Sequence, residues 1–179
     1  MNYILKQFLY IAATCAVIIC ILGLNCHWSW WNIFSHILSV SSLFFFFYEK
    51  WLWKKMPLFI THVPVLPKKL KGAFKYTHPH TQLPDSKEAI MHISQTLMST
   101  RIIIQTNEMK SVSVSASIRE ENGEYMLYYV YRTDPKNEFV DKNPSKYGAA
   151  RIDLSQSPHR LEGTYWTTRS KGDLNFKAL

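Results

Sequence analysis

The stretch Ser111–Thr133, SVSVSASIREENGEYMLYYVYRT, decides the fold. Ser111, Ser113, Ser115 and Ser117 alternate with Val112, Val114, Ala116 and Ile118. A period of two is the signature of a strand, whose successive side chains point to opposite faces. Asn122-Gly123 follows, the dipeptide best suited to a two-residue hairpin turn with positive φ at both positions. Glu124–Arg132 then sets Tyr125, Leu127, Tyr129 and Tyr131 against Met126, Tyr128 and Val130. Two antiparallel strands joined by a tight turn are the expected local structure.

Working outward, the pattern repeats on both sides. Downstream, a proline-containing loop (Asp134–Tyr147) precedes strand-like segments at Gly148–Leu154, Leu161–Arg169 and Asp173–Leu179, the last two joined by a turn at Ser170-Lys171-Gly172. Upstream, Leu70–Thr77 and Arg101–Thr106 are strand-like. Asp85–Met98 supports two readings. Ala89, Ile90, Ile93 and Leu97 have helical spacing with Asp85 or Ser86 as a cap, while Ala89, Met91, Ile93 and Gln95 alternate as a strand does. Counted as a strand, it completes a set of eight, which can close into an antiparallel barrel without free edges that holds a small ligand.

The N-terminal third has different chemistry. Lys6 is its only charged residue before Glu49, and Phe8–Leu24 and Ile33–Tyr48 are apolar runs. A membrane-crossing helix needs about 17–25 residues. Tyr3–Leu24, with Lys6 snorkelling, and Trp30–Leu52 meet that length. Trp30, Trp31, Tyr48, Trp51 and Trp53 are placed for interfacial belts. A single lysine before the first run, and no A-x-A-like site after Leu24, favour a retained anchor over a cleaved signal. Lys6 before the first run, and Lys50, Lys54, Lys55, Lys68, Lys69 and Lys71 after the second, place both termini on the cytoplasmic side. The expected class is therefore a membrane α-hairpin of two transmembrane helices followed by an all-β, eight-stranded antiparallel β-barrel. Its expected divisions are residues 1–53, a basic juxtamembrane linker at 54–69, and a cytoplasmic barrel at 70–179. Ser35, Ser39 and Ser42 share a face of the second helix, and Ala12 and Ala16 make a small-xxx-small pair on the first. Packing within the hairpin is the simpler use of these residues, and self-association the sharper one.

The formal net charge is +8. That balance fits a membrane surface, nucleic acid or a phosphate-bearing ligand. Lys54–Lys71 needs nothing beyond anionic lipid, but Arg151 and Arg169 lie far from that cluster. Cys15, Cys20 and Cys26 all fall in the apolar hairpin, so the β-rich part has neither a disulfide framework nor a zinc site of cysteines. His78-Pro79-His80 lacks a third ligand nearby and reads as a turn rather than a metal site. There is no P-loop, G-x-S-x-G, H-E-x-x-H or G-x-G-x-x-G motif, and no carboxylate pair placed for acid–base work. Neither an enzyme nor a resident cofactor or metal is expected.

An apolar hairpin precedes a strand-rich domain carrying Ile93-Ser94-Gln95-Thr96, Ile102–Thr106 and the Ser-x-Ser-x-Ser stretch. Then come Tyr129-x-Tyr131 with Pro135, and Leu161-Glu162-Gly163-x-Tyr165-x-Thr167-x-Arg169-x-x-Gly172. The whole architecture resembles the SMODS-associated two-transmembrane, β-strand-rich effectors of bacterial CBASS anti-phage defence, the last segment being the most specific part. Two positions depart from that family's pattern. Phe74 stands two after Gly72 where an aromatic, often Trp, follows the glycine, and Tyr147 precedes Gly148 where His is frequent. The resemblance implies that Glu88–Thr96 is a strand. It also implies that the barrel binds a cyclic dinucleotide made by a cognate cyclic-nucleotide synthase. Self-association of the helices, disruption of the bacterial inner membrane and abortive infection would follow. The implied partners are that nucleotide, the lipid bilayer and further copies of the chain, with no DNA or RNA.

A cyclic dinucleotide offers two phosphates, which suit Arg, Lys and hydroxyls, and two bases, which suit aromatic faces. Tyr165, Thr167 and Arg169 share one face of a strand and supply a ring, a hydroxyl and a guanidinium. Tyr129 and Tyr131 add rings from another strand, Arg151 is a second cation, and Gln95 is a candidate polar contact. Which face of each strand points inward stays open, because a one-residue shift inverts it. Two readings compete: a tethered, lipocalin-like carrier, expected to have an Ile/Leu/Val/Met interior, and a protein-interaction module using Asp134–Tyr147.

Overall fold

The computed structural model describes residues 3–77, 84–140, 144–155, 159–168 and 170–179, without the side chains of Tyr3, Thr77 and Pro84. The chain forms two units, one of Met1–His62 with Thr96–Met98, the other of Val63–Gln95 with Ser99–Leu179.

The first unit holds helices α1 (Tyr3–Asn25) and α2 (Trp30–Lys50), a 3-10 turn at Leu52–Lys55, and a single helical turn, α3 (Leu58–Thr61). Both long helices are long and apolar enough to cross a bilayer. The Ser29 hydroxyl accepts from the Asn32 amide at 3.4 Å and caps α2. Ile33, Ser41 and Tyr48 form the buried face of α2, and Gln7, Ile19 and Gly23 the most buried positions of α1. Gln7 is satisfied there: it donates to the Ile60 carbonyl at 2.5 Å and accepts from the Tyr48 hydroxyl at 3.2 Å. That matters in an apolar setting, where an unpaired amide costs several kcal/mol. Trp30, Trp31 and Trp51 are exposed as an aromatic belt requires, but Tyr48 and Trp53 are buried. Of the five rings expected in a belt, three are exposed and two are not.

Ala12 and Ala16 are half-buried on the same side of α1 as Ile19 and Gly23, across the helix from Gln7. Ser35, Ser39 and Ser42 are exposed, and at about 100° per residue they lie across the helix from Ile33, Ser41 and Tyr48. The simpler expectation, that the serine stripe packs the hairpin, is overturned. Ser41 occupies the packed face instead.

In the second unit, eight strands close into a barrel: β1 (Lys69–Thr77), β2 (Pro84–Gln95), β3 (Thr100–Gln105), β4 (Met109–Glu121), β5 (Glu124–Pro135), β6 (Lys146–Asp153), β7 (Arg160–Thr167) and β8 (Lys171–Ala178). Each pairs antiparallel with its sequence neighbours, and β1 pairs with β8 to close the ring. Asn122 (φ 53°) and Gly123 (φ 84°) both adopt left-handed backbone, as the β4–β5 hairpin demands. β2 covers the ambiguous segment from its start to Gln95, leaving Thr96–Met98 outside the strand, and starts earlier than Glu88. The barrel resolves the ambiguity, because only a strand can pair with both β1 and β3.

One end of the barrel is plugged. Leu70, Met91, Ile102, Leu127, Ile152, Leu161 and Phe176 are all within 1% of complete burial. Each such side chain contributes about 1.5–3 kcal/mol relative to exposure.

Candidate aromatic site in the barrel

The inner face changes character from one end of the barrel to the other. Cross-strand partners share a face, so register decides what points inward. Tyr129 stands opposite Ala150, Tyr131 opposite Gly148, Tyr165 opposite Gly172, and Tyr76 opposite both Gly172 and Asp85. Four tyrosines from β1, β5 and β7 therefore converge on the inner face at the end away from the apolar plug. The Tyr129 and Tyr131 ring centroids are 5.7 Å apart, and Phe74 meets Tyr165 edge-on at 5.4 Å.

Glycine makes room for two of these rings. A Cβ on Gly148 would lie 2.5 Å from Cζ and the hydroxyl of Tyr131, and one on Gly172 would lie 2.9 Å from Cε1 of Tyr165. No side chain larger than hydrogen fits beneath either ring in this arrangement. The Gly148 and Gly172 of the sequence motif are thus the seats of the tyrosines.

Tyr129 and Tyr131 are 4% and 7% exposed. Burial drives both hydroxyls well above the ordinary tyrosine range, each further raised by its neighbouring tyrosine. Tyr165 is raised by burial as well. Tyr76 is raised by burial and by the hydrogen bond it donates to Asp85 at 2.7 Å, with Glu108 adding to the effect. All four stay neutral, hence hydrogen-bond donors, at any physiological pH. Among the described residues, no protein group bonds the hydroxyls of Tyr129 and Tyr131. Neither is among the fully enclosed, unpartnered polar atoms of the described residues, which are Ser41 Oγ and Trp53 Nε1, so both remain accessible to a guest. An open cleft of about 930 Å³ at this end is lined by the inward Tyr76, Asp85, Tyr165 and Gly172 together with outward residues such as Lys75, Thr164, Trp166 and Lys171, and Tyr129 and Tyr131 lie outside its lining. That volume is typical of small-molecule sites, which span roughly 300–1,000 Å³.

The candidate residues read from sequence separate into groups. Tyr129, Tyr131 and Tyr165 come together on the inner face. Thr167 shares that face but is engaged in its own turn: its hydroxyl accepts from the Ser170 amide at 3.0 Å and lies 3.1 Å from the Ser170 carbonyl. It shapes the link between β7 and β8 that carries Arg169. Arg169 itself lies outside the described residues, as do His78 and His80. Arg151 does not join the cluster. It pairs with Tyr128 and Thr164 on the outer wall and reaches the Met126 sulfur at 3.8 Å. Gln95 sits at the plugged end. It donates to the Pro64 carbonyl and accepts from the Leu66 amide, both at 2.9 Å, and so fastens the incoming chain.

The serine alternation is also corrected. A bulge between Ser113 and Ser115 shifts the register of β4 by one. Ser111 and Ser113 point inward opposite Thr133 and Tyr131, after which Ala116 and Ile118 take over and Ser115 and Ser117 face out. One extra residue switches the faces. Ser111 bonds Thr133 at 2.7 Å, and the Ser113 hydroxyl accepts from the Ile102 amide at 2.9 Å.

Sequence reasoning missed Tyr76, Lys87, Glu108 and Lys146. Lys87 stands opposite Phe74, and Lys146 opposite Thr133, so both have inward register. β2 and β6 are four strands apart in the eight-strand ring, on opposite walls. Extending the Ala89–Met91–Ile93 alternation backward to Lys87 and Asp85 was the available signal. The expected strand began one residue too late to use it.

The model of the Cap15 cyclic dinucleotide receptor domain matches residues 67–178, from just before β1 to the end of β8. The chain belongs to the Cap15 family. A curated Cap15 relative, CD-NTase-associated protein 15 of Staphylococcus schleiferi, is 31% identical over 152 residues, covering 84% of this chain and 81% of its own. Since fewer than 152 residues lie from 67 onward, that likeness extends into the helical unit as well. The Cap15 assignment covers all eight strands and both tyrosine-seating glycines.

Proposed function

We propose that this protein is a CBASS effector whose barrel binds a cyclic dinucleotide at the tyrosine-lined end, and whose apolar helices then assemble and breach the inner membrane. The observation that carries this reading is the inward cluster of Tyr129, Tyr131 and Tyr165 in a domain of the Cap15 receptor family. Stacking a base on such a ring is worth about 1–3 kcal/mol. Thr167 orders the turn and Arg169 supplies a guanidinium for a phosphodiester, a pairing well suited to bidentate hydrogen bonds. The ligand comes from a cognate cyclic-nucleotide synthase. The protein acts as a receptor and performs no chemistry on it.

Assembly uses the outward face of α2. Ser35, Ser39 and Ser42 are exposed across the helix from the packed hairpin face, and small residues let membrane helices approach closely. Ala12 and Ala16 support the hairpin from within. The lysine bias places both termini and the barrel in the cytoplasm. The ligand drives assembly only through differential affinity: moving a population from 1:99 to 99:1 takes about 5.5 kcal/mol, or roughly 10⁴-fold.

The test is binding of cyclic di-AMP, cyclic di-GMP and cyclic GMP–AMP to the full chain in detergent micelles, with Arg169→Ala and Tyr131→Ala beside it. Tight, selective binding lost in both variants is expected. A folded protein that binds none of the three overturns the reading. Ser39→Leu is expected to keep binding while abolishing nucleotide-dependent clustering and toxicity.

A further inference from the structure

Lys87, inward on β2, and Glu108, in the turn between β3 and β4, form an ion pair. The lysine Nζ lies 2.6 Å from Glu108 Oε2, with the side chains 33% and 29% exposed. Lys87 projects from β2 on the same face as Ala89 and Met91 and stands opposite Phe74, the ring that meets Tyr165. The pair therefore borders the tyrosine cluster.

Such a pair is an inefficient way to hold a barrel together. Removing two charges from water offsets most of their attraction, and apolar residues of like volume usually stabilise as well or better. Further along the same face, β2 does use apolar residues, Ala89, Met91 and Ile93.

Glu108 also has a second attachment. It sits in the β3–β4 turn, where the Thr106 hydroxyl accepts from the Glu108 and Met109 amides at 3.3 and 3.1 Å. Its carbonyl accepts from the Lys136 amide at 2.9 Å, at the start of the segment after β5. One residue thus joins the inward lysine by its side chain and an outer loop by its backbone.

We propose that Lys87 is a phosphate-binding residue of this barrel and that Glu108 is its built-in competitor: a phosphodiester of the bound nucleotide replaces the Glu108 carboxylate on Lys87. This rests on the cyclic dinucleotide reading of the site. The exchange is charge-balanced, one anion for another, with no proton transferred. The carboxylate sets a threshold, since only a ligand that places phosphate at Lys87 recovers the ion pair it breaks. The freed β3–β4 turn then carries the event to the segment beginning at Lys136.

The experiment measures affinity of the full chain in detergent for cyclic di-AMP, cyclic di-GMP and cyclic GMP–AMP in four forms: wild type, Lys87→Gln, Glu108→Gln and the double variant. Lys87→Gln should weaken binding at least tenfold. Glu108→Gln should tighten it several-fold, a gain that misfolding cannot imitate. In the double variant the gain from Glu108→Gln should vanish. Wild-type binding with equal affinity in Lys87→Gln, or with loss in Glu108→Gln, overturns this proposal and leaves the receptor reading intact. No binding by folded wild type overturns both.

Discussion

Gly148→Ala is expected to expel Tyr131 from its seat. The added carbon would lie 2.5 Å from Cζ and the hydroxyl of Tyr131 and 2.8 Å from the Trp166 carbonyl. The carbonyl belongs to the β6–β7 ladder, where Ala149 pairs with Trp166, so it cannot retreat without breaking the sheet. The ring must move instead, and Tyr131 is 7% exposed with Tyr129 5.7 Å away. Overpacking of this kind costs about 1–3 kcal/mol. For a domain of this size that corresponds to a fall in Tm of roughly 4–12 °C. The assay is thermal unfolding of the full chain in detergent, followed by near-UV circular dichroism, with a double-mutant cycle against Tyr131→Ala. Once the ring is gone only the approach to the Trp166 carbonyl remains, so part of the cost should disappear, giving a coupling of about 1–2 kcal/mol. Nucleotide binding should fall in Gly148→Ala even at temperatures where the barrel is fully folded. If Gly148→Ala and Tyr131→Ala prove additive within ~0.5 kcal/mol, the glycine does not seat the ring.

Three further outcomes follow from the same structure. Asn122→Ala should destabilise by about 1 kcal/mol, because alanine tolerates φ 53° poorly, while Asn122→Gly should be neutral or better by chemical denaturation. Gln95→Ala strips the Leu66 amide and the Pro64 carbonyl of their partner and should cost about 1–3 kcal/mol, with hydrogen exchange rising at Leu66. Tyr76, Tyr129, Tyr131 and Tyr165 are all raised above the ordinary tyrosine value, so the fold favours their neutral forms. That stability is complete below about pH 10, where free tyrosine is also neutral, and is lost as pH rises beyond it. Alkaline unfolding should shift to higher pH in Tyr129→Phe, and an unchanged midpoint would contradict the assignment.

The sequence by itself determined the plan. Charge depletion before Glu49 marked the helices, and the period-two runs with Asn122-Gly123 marked the strands, because these signals are local and depend on near neighbours. Tyr129, Tyr131 and Tyr165 were legible as a group because alternation puts them on defined faces of their own strands. Tertiary structure alone decided which face is inside. Pairing with β1 and β3 made Asp85–Gln95 a strand, and the bulge after Ser113 reversed the serine face. Register then sent Arg151 to the outer wall and Gln95 to the plugged end, and brought Lys87 in. Helix packing likewise left Ser35, Ser39 and Ser42 outward and drew Trp53 in from the expected belt. The physical reason is common to all of these: a side chain's face depends on pairing and packing partners distant in sequence, and a one-residue shift inverts it.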